Sequence, residues 1–122
     1  QALKGEHLKV VGGMQRYGFL DVRDAVVGLV KLAVSNPKSW KETYNLGRNE
    51  SYTLIEVVEC IVKQMKLQAD MDVRYTILEG QDNRNSSINA TLFMQGFQWN
   101  PEITFDETTA AIIRSKLSKV EN

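Results

Sequence analysis

Apolar and polar positions along this chain change period several times, and each change marks an element. Leu8-Lys9-Val10-Val11 predicts a short apolar strand ended by Gly12-Gly13, and Tyr17 to Val22 predicts a second extended piece. From Val22 to Val34 the chain is apolar almost all round: Val22, Ala25, Val26, Val27, Leu29, Val30, Leu32, Ala33 and Val34. A helix with so little polar face is normally buried on several sides. Asn36-Pro37 stops it, because proline cannot continue a helix. Glu42 to Leu46 predicts a strand, closed by Gly47.

Thr53 opens the clearest helix. Thr53-x-x-Glu56 is a capping box, in which each side chain satisfies the other residue's backbone N–H. Leu54, Val57, Val58, Ile61 and Met65 then fall on one helical stripe. Val73 to Leu78 alternates as a half-buried strand does, and polar Glu79 to Asn85 predicts a loop. Ala90 to Gly96 predicts a short helix and Asp106 to Lys119 a last one, capped by Asp106, with Ile113 and Leu117 on its apolar face. Short strands alternating with about four helices predict an α/β arrangement in one domain spanning residues 1–122. So small a domain has little core with which to cover the helix at 22–34. That helix is therefore expected to expose apolar surface, to pack on something else, or to associate non-natively with another copy.

Composition narrows the class of partner. Hydrophobic residues make up 43% and charged residues 25% of the chain, and 15 basic residues balance 15 acidic ones. No net field attracts nucleic acid or anionic lipid, and no apolar run is long enough to span a bilayer, so neither partner is expected. A lone Cys60 excludes an internal disulfide and fits a reducing, cytoplasmic setting. His7 has no neighbouring His or Cys, so no zinc site is expected. The first residue is Gln1, which reads as a processed or trimmed segment.

Several short motifs follow one another in a familiar order. Gly96-Phe97-Gln98-Trp99-Asn100-Pro101 is a Gly-aromatic-Pro turn, preceded at a distance by Tyr17-Gly18-Phe19-Leu20-Asp21-Val22-Arg23-Asp24 and by Tyr44-Asn45-Leu46-Gly47. Gly80-Gln81-Asp82-Asn83-Arg84 lies between the capped helix and that turn. Together they resemble the C-terminal, substrate-binding part of the NAD-dependent epimerase/dehydratases, the extended short-chain dehydrogenase/reductases. The resemblance implies a parent enzyme with a Rossmann nucleotide-binding half that is absent from this chain. It also implies a UDP- or dTDP-linked sugar as ligand. The parent would use NAD or NADP for epimerisation, 4,6-dehydration or 4-keto reduction.

This chain holds neither half of that redox machinery. No helix opens directly after Gly12-Gly13, as a dinucleotide cradle requires. None of Tyr17, Tyr44, Tyr52 or Tyr75 has a lysine four residues on, so the Tyr-x-x-x-Lys acid/base pair is missing. The chain is expected to hold no cofactor and to be inactive alone. What remains is a candidate grip on a nucleoside diphosphate.

As pattern alone, Arg84 is a solvated loop arginine; the resemblance makes it a diphosphate ligand, for which a guanidinium fork is suited. The family's second arginine falls at Tyr17 and its acid at Gly18. Arg16 could replace that arginine only if the strand slipped by one residue, which would turn its side chain to the opposite face. Gln15 and Tyr17 offer instead a neutral hydrogen bond or a stacking surface, Tyr17 being equally readable as a half-buried strand aromatic. Asn45 is either a nucleotide contact or a turn-forming residue before Gly47, and Val11 either lines a base pocket or sits in the core. A non-catalytic binding or regulatory module of the same fold, or an unrelated α/β interaction domain, stands as the alternative function.

Overall fold

A computed structural model describes residues 1–82 and 84–120. Its elements, in chain order, are β1 (Leu8–Val11), β2 (Arg16–Tyr17), α1 (Val22–Val34), β3 (Tyr52–Thr53), α2 (Leu54–Ala69), β4 (Tyr75–Leu78), β5 (Asn85–Ser86), α3 (Thr91–Phe97) and α4 (Phe105–Val120). The fold is α/β, with short strands in two separate sheets. β1 pairs with β4 in parallel, from Leu8 opposite Tyr75 to Val11 opposite Leu78. β2 lies between β3, antiparallel, and β5, parallel.

The capping box starts α2 as the sequence requires. Glu56 N–H donates to Thr53 Oγ1 at 3.2 Å, and Thr53 N–H donates to the Glu56 carboxylate at 2.7 Å. The stripe that follows buries Val58 and Met65, and Met65 meets Val73 and Ile113 in a core flanked by Leu8, Ile61 and Leu117. Fully burying an apolar side chain of this size contributes roughly 1.5–3 kcal/mol. α4 is thereby fixed against α2, and Asp106 reinforces the join by accepting from Lys63 Nζ and Cys60 Sγ.

Five sequence expectations are corrected. Asp106 does not cap α4: Thr104 and Glu107 form a second capping box that opens two residues earlier, with bonds of 2.7 and 3.2 Å, and Asp106 faces α2 instead. The extended piece over Tyr17–Val22 pairs only at Arg16 and Tyr17, because Asp21 is already the N-cap of α1. The ladder expected from Val73 begins at Tyr75, and Asn85, expected in the loop, pairs as β5. Glu42–Leu46 joins no ladder among the described residues. Side chains hold it: Tyr44 lies edge-on to Phe93 and Phe97, with ring centroids 5.8 and 5.1 Å away.

α1 is held by its polar residues rather than its apolar ones. Asp24 is buried, and its two carboxylate oxygens accept the backbone N–H groups of Glu102 at 3.1 Å and Ile103 at 2.9 Å. The Asp24 carbonyl accepts from Trp99 Nε1 at 3.1 Å. Trp99, 1% exposed, packs edge-on against Phe93. Gly28 makes the close approach possible, since a Cβ there would lie 3.0 to 3.2 Å from Leu46, Phe93 and Trp99. From the other side Arg48 Nη2 donates to the Ile103 carbonyl at 2.6 Å, and Lys31 Nζ donates to the Gln98 carbonyl at 2.7 Å.

At the helix start, Asp21 accepts from Arg23 backbone and guanidinium and from Thr108 Oγ1 of α4 at 2.7 Å. The Arg23 hydrogen bond, opposed by burial, holds the Asp21 carboxyl well below the usual carboxylate range. All three charged residues of α1 are therefore tied to their own chain. Val22, Val26, Val30 and Val34 form an outward ridge at four-residue spacing, 72%, 53%, 55% and 80% exposed. The described residues do not cover this face.

Asp24→Ala would leave two backbone N–H groups without their acceptor. The expected loss is about 2–3 kcal/mol in urea unfolding, set by the desolvation cost of unpaired donors. A loss within experimental error would contradict the clamp. Asp21 gives a pH signature. A depressed carboxyl stabilises the fold fully above its unfolded pKa, about 3.9, and progressively less as pH falls toward the folded value. The melting temperature is expected to drop as pH falls below about 4, and the Asp21→Asn variant to show a shallower acid slope.

Candidate functional site

The site is built outward from β2, which touches strands on both edges. Arg16 N–H donates to the Arg84 carbonyl at 2.9 Å, so the loop leaving β4 is stitched to β2 at the residue singled out for anion binding. Asp82 shapes that loop as an Asx turn, accepting the Arg84 N–H at 3.1 Å. The same carboxylate accepts from Arg84 Nε at 2.9 Å. This pair holds the Arg84 guanidinium above its usual range, and the nearby Tyr17 phenol adds to the effect. Arg84 remains 75% exposed along its side chain. Asn83, quoted in the loop motif, lies outside the described residues.

Tyr17 and Arg84 are thus brought together at the β2–β5 edge. Tyr17 is half-buried, with its ring 6.4 Å from Phe19, and stands opposite Ser86 across the ladder. Val11 stands at the root of the same loop. It is 52% exposed, faces Leu78 in register, and its Cγ1 would lie 2.5 Å from a Cβ placed on Gly80. Only glycine fits there, so the loop passes close over the end of β1.

The other three candidates have different surroundings. Gln15 is buried, its Oε1 accepting the Gly13 N–H at 2.6 Å and its Nε2 donating to the Val11 carbonyl at 2.9 Å. Arg16 donates from Nε to Ser51 Oγ at 2.9 Å and from Nη2 to the Ser51 carbonyl at 2.7 Å. Both polar heads are committed within the fold. Asn45 is exposed and donates to the Asn89 carbonyl at 3.2 Å. It lies beyond β5, toward the start of α3, and not at the Tyr17–Arg84 edge. A cavity of about 110 Å³ walled by Phe19, Leu20, Leu46, Arg48, Ser86 and Ile88 occupies the ground between, with neither Arg84 nor Asn45 in its wall.

Gly12 and Gly13 do not form a dinucleotide cradle. Both have positive φ, but the chain runs from them into β2 rather than a helix, and the Gln15 amide fills the turn. Among the described residues no group of three or more His, Cys, Asp and Glu is placed to hold a metal ion. None of the described helices is long and apolar enough to cross a membrane.

Two features escaped sequence reading. Tyr52 stacks on Phe105 at 4.7 Å and 24°, with Phe19 5.0 Å from Phe105, joining β3, α4 and the segment after β2. An apolar groove of about 340 Å³ runs beside this cluster, walled by Phe19, Val57, Ile61, Met65, Phe105 and Ile112. The only available signal was the placement of Phe19 and Phe105 at element boundaries, which does not reveal contact.

No protein-family model matches the chain, and no curated protein matches it. Solved structures do. UDP-glucose 4-epimerase from Thermotoga maritima, in a structure with UDP-glucose, superposes with a TM-score of 0.76 at 18% identity over 97% of this chain. dTDP-glucose 4,6-dehydratase from Bacillus anthracis, in complex with NAD, gives 0.74 at 24% over 98%. UDP-glucuronic acid 4-epimerase from Bacillus cereus, with UDP-glucuronic acid and NAD, gives 0.71 at 15% over 95%. The matched part is 37%, 37% and 38% of those chains respectively. The chain shares its α/β fold with somewhat more than a third of each of these enzymes.

Proposed function

We propose that these residues are the nucleotide-sugar-binding part of a longer NAD- or NADP-dependent nucleoside-diphosphate-sugar epimerase or dehydratase. The observation that carries this reading is the superposition of almost the whole chain on little more than a third of enzymes solved with UDP-sugars and NAD. Arg84 is the diphosphate ligand in this reading: its exposed guanidinium exchanges the Asp82 carboxylate for phosphate oxygens, to which its planar fork is equally suited. Tyr17 supplies a neutral hydrogen bond or a stacking face beside it, in the position of the family's arginine. Val11 offers apolar contact at the loop root, and Asn45 reaches the ligand from the far side of β5. Gln15 and Arg16 hold β2 and its glycine turn in place.

Redox chemistry belongs to the cofactor and to the rest of such a protein, since the Gly12-Gly13 turn fits no dinucleotide and no Tyr-x-x-x-Lys pair is present. The chain alone would be catalytically inactive. The valine ridge of α1 is the surface on which the cofactor-binding half would pack, and any pairing of the isolated chain through it would be non-native. A cytoplasmic setting fits the single free Cys60. Tyr17 and Gly18, standing where the family has an arginine and an acid, favour a second reading: a non-catalytic binding or regulatory module of this fold. A Gly-rich strand-to-helix turn and a Tyr-x-x-x-Lys pair in the preceding coding sequence would decide for the enzyme.

Calorimetric titration of the longer protein with UDP and dTDP tests the site. Arg84→Ala is expected to weaken binding about tenfold or more, as loss of a charge-assisted contact does. Unchanged affinity would remove Arg84 from the site. Gln15→Ala serves as the contrast: it is expected to cost about 1–2 kcal/mol of stability, by leaving buried backbone groups unpaired, without shifting nucleotide affinity. The chain alone is expected to bind UDP no tighter than about micromolar, a weak affinity on the free-energy scale; submicromolar binding would contradict the shared-pocket reading.

A further inference from the structure

We draw no further inference here: the strongest candidate, the valine ridge of α1, already serves as the docking face of the proposed function, and nothing else in the structure shows what covers it.

Discussion

The Asp24 carboxylate is the point on which this fold turns. It is buried, and it is bound by two consecutive backbone N–H groups that follow Pro101. Proline has no N–H and fixes its own φ, so the turn presents its next two donors in one direction. A single carboxylate then satisfies both. Trp99 closes the arrangement from the same turn by donating to the Asp24 carbonyl, and Arg48 ties down the turn's carbonyls. Helix α1, the 98–103 turn and the Phe93 face of α3 are thereby one unit. Removing the carboxylate takes the acceptor from two backbone donors at once, so its loss is expected to cost more than a typical hydrogen bond contributes.

That arrangement explains how so apolar a helix can be fixed while exposing most of its valines. Its inward face needs only Gly28 and Asp24, and its other two charges are drawn aside to Asp21 and to the Gln98 carbonyl. Nothing charged is left to interrupt the outward ridge. Contiguous apolar surface of this kind marks an interaction face more often than an accident of composition. β2 organises the candidate site by pairing with a strand on each edge and anchoring the Arg84 loop. The Arg84–Asp82 pair there is solvent-facing, and such pairs contribute little to stability.

Much of this was readable from local rules. The Thr53–Glu56 capping box, the bounds of α1 and the strand at Leu8–Val11 each follow from a short pattern that tertiary context does not override. The failures have physical causes. Two capping signals overlap at the start of α4, and the Thr104–Glu107 box outcompetes Asp106 because it satisfies donors at both ends. Glu42–Leu46, predicted as a strand closed by Gly47, joins no ladder among the described residues, since a ladder needs a partner that no local pattern can supply. Among the candidate residues, Arg84 and Tyr17 were both singled out in the sequence, and the β2–β5 register is what places them near one another. Gln15 was named as a neutral hydrogen-bonding candidate, and in the structure its amide holds the Gly12-Gly13 turn, a contact no local pattern shows.

In the proposed function, α1 is clamped to its own chain by Asp24 and offers its valine ridge to a cofactor-binding half. Carbene footprinting read by mass spectrometry tests this directly, on these 122 residues alone and within the longer protein. Val26, Val30 and Val34 are expected to be labelled in the short chain and protected in the long one, with Trp99 protected in both. Equal labelling of the three valines in the two proteins would contradict the account.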